Sequence, residues 1–182
     1  MRADARRNRE RLLAEARTAF HEHGADASLD DIARRAGVGS GTLYRHFPSR
    51  DALLDAVAGD AFDRLQRQAD DLLGAAEPLE ALVTWLRALI EYTMTVRGLA
   101  GTLMACQDDE SSALQRPCKL IANTMATLLA RARAAGSVRP DIEAEDLGRL
   151  TYGIALAADS SPQDRELADR LLALTLDGLA AS

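Results

Sequence analysis

The stretch from Ser28 to Phe47, SLDDIARRAGVGSGTLYRHF, constrains this chain more than any other. Ser28 followed by Asp31 is a helix-entry signature, a hydroxyl able to accept a backbone N–H bond, with Leu29, Ile32, Ala33 and Ala36 then lining one face. Gly37 supplies a residue at ease with φ > 0, which ends that short helix and opens a turn. Val38 is placed to plug the corner, Gly39 and Ser40 restart the backbone, and Gly41 to Phe47 reads as a second helix. Ala33 is small enough to let the second helix cross the first closely at a steep angle. Two helices and a tight glycine turn make a helix-turn-helix.

The second helix carries the chemistry of a major-groove reader. Ser40 and Thr42 offer short hydroxyls for bases or phosphates, Gly41 allows close approach, and Tyr44, Arg45, His46 and Arg50 set donors around a groove wall. Leu43 and Phe47, four apart, point back into the domain. The glycines Gly37, Gly39 and Gly41 do not form a phosphate loop. A dinucleotide fingerprint needs a preceding strand, and a P-loop needs Gly-Lys-Ser/Thr.

The run TLYRHFPSR, preceded by LDDIARRAGV, resembles the DNA-binding signature of the TetR/AcrR family of bacterial regulators. The likeness extends from about Arg6 to about Val57, the N-terminal third. It implies an all-α homodimer whose variable C-terminal domain binds a small effector and changes the spacing of two DNA-reading heads. Residue by residue, it implies base-edge contacts from the Ser40, Gly41 and Thr42 region and phosphate contacts from Tyr44, His46 and Arg50. Family members often carry Lys at the position of Arg50, so charge is preserved.

Net charge is −6, which opposes a nucleic-acid partner until it is divided along the chain. Residues 1–50 hold ten arginines against seven acids, +3, and the remainder holds twelve basic residues against twenty-one acids, −9. A basic head on an acidic body can bind DNA while the body avoids it. With 182 residues, 47% hydrophobic, and no Gly/Ser-rich linker, the chain has enough apolar matter for a small head and a larger helical domain. No apolar run approaches a membrane span, and the Arg-rich N-terminus lacks a signal-peptide core, so a cytoplasmic protein with no membrane partner is expected. Two cysteines, Cys106 and Cys118, are too few for a disulfide framework and lack zinc-ligand neighbours.

In chain order, Arg6, Arg7, Arg9 and Arg11 open a bracing helix with Leu12, Leu13, Ala16, Ala19 and Phe20 at helical spacing, ended by Gly24. His21 and His23, two apart, point to different faces. They suit a helix C-terminus better than a metal. Pro48 stops the recognition helix, and Ser49 starts a long helix to about Leu73 that joins head to body, with Gly59 a candidate bend. This places a helix-turn-helix domain over residues 1–48 and an effector-binding and dimerisation domain over residues 49–182. A tilt of the joining helix would move the head.

From Pro78 the pattern stays helical: an apolar stripe from Leu79 to Met94, a short segment Leu99 to Gln107, and a polar run Asp108 to Ser112. A long helix follows from about Ala113 to Ala135, with a possible break at Pro117, and two last helices run from about Glu143 to Asp159 and Ser161 to Ala181. No strand pattern survives, so the fold class is all-α, an antiparallel helical bundle behind the head with about nine helices in all. The last helix carries Leu167, Leu171, Leu172, Leu174, Leu176 and Leu179 on more than one face, and Gly148, Gly153, Ala155 and Ala158 allow close crossing. These features predict a homodimer built as a four-helix bundle from the last two helices of each subunit.

Trp85, Tyr92, Met94, Met104, Cys106, Asn123, Met125 and Tyr152 are bulky, soft or polar residues among apolar ones, the mixture expected around a mostly apolar effector. No catalytic constellation stands out: no Gly-x-Ser-x-Gly, no His-Glu-x-x-His, only three histidines, hence no cofactor and no metal. The first reading is a sequence-specific DNA-binding regulator, a homodimeric repressor released from a palindromic operator by a small molecule. The alternatives are a regulator that activates, a helical ligand-binding protein or enzyme that merely retains the head, and a head used for protein interaction.

Overall fold

A computed structural model describes residues 2–106, 114–158 and 164–179, the side chains of residues 2, 3, 106 and 164 excepted. The described residues form nine α-helices and no strand: α1 (Arg2–His23), α2 (Leu29–Arg35), α3 (Ser40–His46), α4 (Arg50–Leu73), α5 (Pro78–Thr93), α6 (Leu99–Cys106), α7 (Gln115–Ala134), α8 (Ala144–Ala158) and α9 (Asp164–Leu179). The polar run from Asp108 to Ser112 lies outside the described residues.

The head forms because its caps and its apolar periodicity agree. Ser28 Oγ accepts the Asp31 N–H at 3.2 Å, satisfying a first-turn donor of α2. At the other end Gly37 adopts φ +68°, its N–H donates to Arg34 O and the Val38 N–H donates to Ala33 O, each at 3.0 Å. That paired return is a Schellman ending, which a left-handed residue makes possible. Leu12, Ala16 and Phe20 of α1, Ile32 and Ala33 of α2, and Leu43 of α3 are buried together, with Ala33 1% exposed at the crossing. Val38 is half-buried at the corner.

Ser49 Oγ accepts the Ala52 N–H at 3.1 Å and starts α4, whose 24 residues span ~36 Å at the usual helical rise. Leu53, Leu54, Ala58, Phe62, Leu65 and Ala69 form its buried stripe, packed on α1, α5 and α7. Pro117 does not break α7. It is the third residue of that helix, inside the first turn, where a missing N–H costs nothing, so α7 runs unbroken to Ala134. Gly136 (φ +71°) then ends it in a second Schellman return, Ser137 N–H to Ala132 O at 3.0 Å. α5, α7 and α8 pack on one another behind α4, and α9 packs on α8 and α5.

Among the described residues head and body meet through α4 and through a loop contact. α4 runs through both, and the α1–α2 loop abuts the α5–α6 turn: the Ala25 N–H donates to Arg97 O at 2.7 Å. Gly98 there holds φ +83°, and a Cβ on it would lie 3.4 Å from Ala25 Cβ, so a side chain is excluded by conformation and crowded by the loop.

Candidate nucleic-acid interface and effector site

α3 is fixed from below by Leu43 and Phe47, 0% and 3% exposed, which leaves Gly41, Tyr44 and Arg45 facing solvent. Tyr44 is 49% exposed, an unusual position for an aromatic ring that the fold itself does not need. Arg45 Nη2 donates to Thr42 Oγ1 at 3.1 Å, which orients both side chains, and Arg45 makes no ion pair among the described residues. α3 carries no acidic residue, so the positive charge of Arg45 is uncompensated within its own helix.

Gly39 and Gly41 have ordinary negative φ, and a Cβ at either would meet nothing within 4 Å. Neither backbone strain nor internal packing demands glycine at these two positions. The absent side chains lower the outer surface at the start of α3, which allows backbone N–H groups to approach another molecule closely.

Two of the expected contact residues also hold the head together. The Ser40 hydroxyl donates to Asp30 Oδ1 at 2.6 Å, cross-linking α2 and α3 while leaving its own lone pairs to accept. Arg50 Nη1 donates to Ala25 O at 2.6 Å and Ala27 O at 2.7 Å, pinning the α1–α2 loop to the first residue of α4. The guanidinium has five N–H donors, so this latch does not exhaust it. His46 is half-buried beside Phe47, and the Arg9 guanidinium lies over the other aromatic partner, 5.4 Å from the Phe47 centroid. Arg6 and Arg7 pair instead with Glu10 and Asp4 on their own helix. His21 and His23 are exposed in the last turn of α1, ended by Gly24 (φ +75°).

The far end of α4 is held in the same way as its beginning. Arg131 of α7 donates through Nη1 to Leu72 O at 2.9 Å, which also accepts the Ala75 N–H at 3.1 Å, and through Nη2 to Ala75 O in the turn beyond the helix. Nothing local in the sequence signals this contact, since the partners lie more than fifty positions apart. Between the two anchors Asp55 is half-buried on α4. Burial pushes its carboxyl above the ordinary range, opposed by Arg116 and reinforced by Asp63.

The expected effector residues do not line one cavity. Met125 and Tyr152 face a half-open groove of about 350 Å³ between α7 and α8, with Gln115, Lys119 and Glu145 at its rim. Trp85 lines a smaller cavity of about 80 Å³ between α4, α5 and α7. Tyr92 and Met94 border separate surface clefts, Met104 and Asn123 are exposed, and the Cys106 side chain lies outside the described residues. Ile121, which the sequence did not single out, is the residue shared by the groove and the smaller cavity. Among the described residues no group of three or more histidines, cysteines and carboxylates is placed to hold a metal, and no helix is long and apolar enough to cross a membrane.

Comparison with known proteins agrees with this geometry. The family model for bacterial regulatory proteins of the tetR family matches residues 12–57, and that for the C-terminal domain of SbtR-like transcriptional regulators matches residues 77–181. The crystal structure of TetR transcriptional regulator SCO0520 from Streptomyces coelicolor is 41% identical, with a TM-score of 0.62 over 96% of this chain and 99% of that one. HTH-type transcriptional regulator UidR of Escherichia coli is 28% identical over 180 residues, 91% of this chain and 89% of its own. HTH-type transcriptional repressor KstR2 of Rhodococcus jostii is 29% identical over 200 residues, 95% of this chain and 91% of its own. The chain therefore belongs to the TetR family of transcriptional regulators, an all-α protein that joins a helix-turn-helix DNA-binding head to a helical regulatory body.

Proposed function

We propose that this protein is a homodimeric repressor which holds a palindromic operator through paired α3 helices and releases it when a small molecule enters its body. The observation that carries the reading is the outer face of α3: glycine-opened, free of acids, with Tyr44 and Arg45 exposed on a rigid support that has no internal use for them. In this reading Ser40, Gly41 and Thr42 meet base edges, and Tyr44, Arg45, His46 and Arg50 grip phosphates on either side. Repression, not activation, is favoured by the likeness to a protein named as a repressor.

The head over residues 1–48 works as a pair. Leu150, Leu156 and Leu174 are exposed on α8 and α9, and Leu150, Gly153, Ile154, Leu171 and Leu174 bound a shallow apolar depression. A second copy covering this face removes it from water and sets two recognition helices ~34 Å apart, one turn of duplex. The protein works in the cytoplasm, where its DNA is, and acts as a regulator instead of a catalyst.

The test is selection of bound fragments from genomic DNA, followed by titration of the recovered site against salt. A palindromic site whose affinity falls steeply between about 50 and 200 mM salt is the expected result. Equal affinity for all duplexes, or none for any, would sink the proposal.

A further inference from the structure

Two hydroxyls stand at the start of α3, and their hydrogen bonds run in opposite directions. Ser40 donates to Asp30 Oδ1 at 2.6 Å, and a carboxylate only accepts, so the serine proton is committed and its lone pairs alone remain. Thr42 Oγ1 instead accepts from Arg45 Nη2 at 3.1 Å, and a guanidinium only donates, so the threonine keeps its proton to give. Ser40 is also the one side chain between two glycines, and a Cβ at Gly39 or Gly41 would meet nothing within 4 Å. A surface brought against α3 reaches Ser40 with no flanking side chain in the way.

The direction of the Ser40 bond decides what it can touch. A phosphate oxygen only accepts, so a serine whose proton is held by Asp30 has nothing to give it, and Asp30 itself repels the phosphate. In the major groove a duplex offers such a hydroxyl two partners, the amino groups at cytosine N4 and adenine N6. Guanine and thymine present acceptors there.

A cross-link between α2 and α3 does not require this direction. An amide at position 30 would tie Ser40 through either its oxygen or its nitrogen, whereas a carboxylate fixes which way the proton points. Nor does Asp30 serve attraction to DNA. Asp31 beside it pairs with Arg34 at 2.7 Å, but Asp30 is exposed, makes no ion pair among the described residues, and sets a negative charge beside the first residue of α3.

We propose that Ser40 selects an amino-bearing base, cytosine or adenine, at one position of each operator half-site, and that Asp30 is the positioning residue that imposes this choice by holding the Ser40 proton. The inference rests on the reading that α3 enters the major groove with Ser40 at base edges, and adds the class of base and a residue outside α3 that sets it. Asp30 lowers general attraction while raising discrimination. Thr42, of the opposite polarity, acts at a different base pair.

The test uses the full-length protein and a site selected from random duplexes, followed by anisotropy titrations on duplexes changed one base pair at a time. Wild type should show one position per half-site at which cytosine or adenine on one strand is bound about three- to ten-fold more tightly than guanine or thymine, the worth of one net hydrogen bond. The analogue without the exocyclic amino group, purine for adenine or 2-pyrimidinone for cytosine, should cost the wild type the same factor and cost Ser40→Ala nothing. That comparison reads the contact in the wild-type protein even where a variant folds poorly. Asp30→Asn should bind arbitrary duplex about two-fold more tightly or better, because a charge that repels phosphates is gone. It should also level the Ser40-dependent position while leaving preferences elsewhere and the helical circular-dichroism signal unchanged. An Asp30 that served the fold alone would, when replaced, weaken binding to every sequence alike and leave the profile as it is.

Guanine or thymine preferred at the Ser40-dependent position, an amino-free analogue bound at full strength, or a profile that Ser40→Ala or Asp30→Asn leaves intact would overturn the inference while the groove reading stands. Failure to select any site from random duplexes would remove the groove reading itself, and this inference with it.

Discussion

Gly41 lies in the first turn of α3 with nothing within 4 Å of where a Cβ would stand, and its φ is negative. Alanine there suits a helix better than glycine by about 0.5–1 kcal/mol, so Gly41→Ala should raise the melting temperature or leave it unchanged. If α3 enters a groove, the same methyl pushes the backbone away from the bases, and operator affinity should fall by at least about ten-fold, or 1.4 kcal/mol. Stability by calorimetry and affinity by anisotropy should move in opposite directions, an outcome that a purely structural motif does not produce. Arg50 permits a complementary separation. Lysine keeps the charge for a phosphate but cannot copy the planar fork that spans Ala25 O and Ala27 O. Arg50→Lys should therefore lower stability by about 1–3 kcal/mol while the slope of log affinity against log salt stays within about one unit of the wild type. A loss of slope with no loss of stability would reverse the weight given to latch and phosphate contact.

At the scale of elements, α4 is a rod tied at both ends, and each tie can be cut. Arg131→Met takes the side-chain donor from Ala75 O and from Leu72 O, which keeps the Ala75 N–H at 3.1 Å, and should cost about 1–3 kcal/mol, read as a fall in melting temperature of several degrees. Asp55 supplies a test in pH. Its folded carboxyl titrates above the unfolded value of 3.8, chiefly because burial disfavours the charge. Ionisation therefore opposes folding: the stability this group contributes is present below pH 3.8 and is lost as pH rises through the raised folded value. Asp55→Asn should raise the melting temperature at pH 7, with the advantage shrinking to nothing near pH 3. An advantage that grew toward acid would give the opposite sign and refute the assignment. What the sequence disclosed of these elements follows from range. Ser28, Gly37, Ser49 and Gly136 act on neighbours three to five residues away, so their caps were legible, as was the periodicity of Leu12, Ala16 and Phe20. Arg131 acts on carbonyls in another helix, and no local pattern encodes that. The effector residues failed to converge for a related reason. Helical period tells that Trp85, Met125 and Tyr152 turn inward, but not which of two neighbouring spaces each faces. Pro117 was legible as a helix disruptor and misplaced only because its distance from the helix start decides whether it disrupts.

For the whole molecule the decisive quantity is how many heads meet the DNA at once. Leu174 is 68% exposed on α9, beside Leu150, 47% exposed on α8, so each protomer presents leucines to water with no use for them inside the chain. Replacing Leu174 by Glu alters the isolated protomer's stability by no more than about 0.5 kcal/mol, because the side chain has few internal contacts to lose. In the proposed dimer the same change puts two carboxylates across a desolvated two-fold face, a like-charge contact with no partner. Leu174→Glu should therefore sediment as a monomer at micromolar concentration with an unchanged helical circular-dichroism signal. Operator binding should weaken far more than stability does, because two tethered heads gain from effective concentration what separate heads must find in solution, a factor of about 10² or more. The monomer should retain a salt-sensitive, half-site attraction, since Arg45, Tyr44 and the α3 surface are untouched by a change on α9, which packs on α8 and α5. A Leu174→Glu protein that stays dimeric would move the two-fold face away from α9. A monomer that still bound the full palindrome at wild-type strength would show that α3 reads its half-site without a partner, and the spacing of two heads would no longer be the quantity an effector changes.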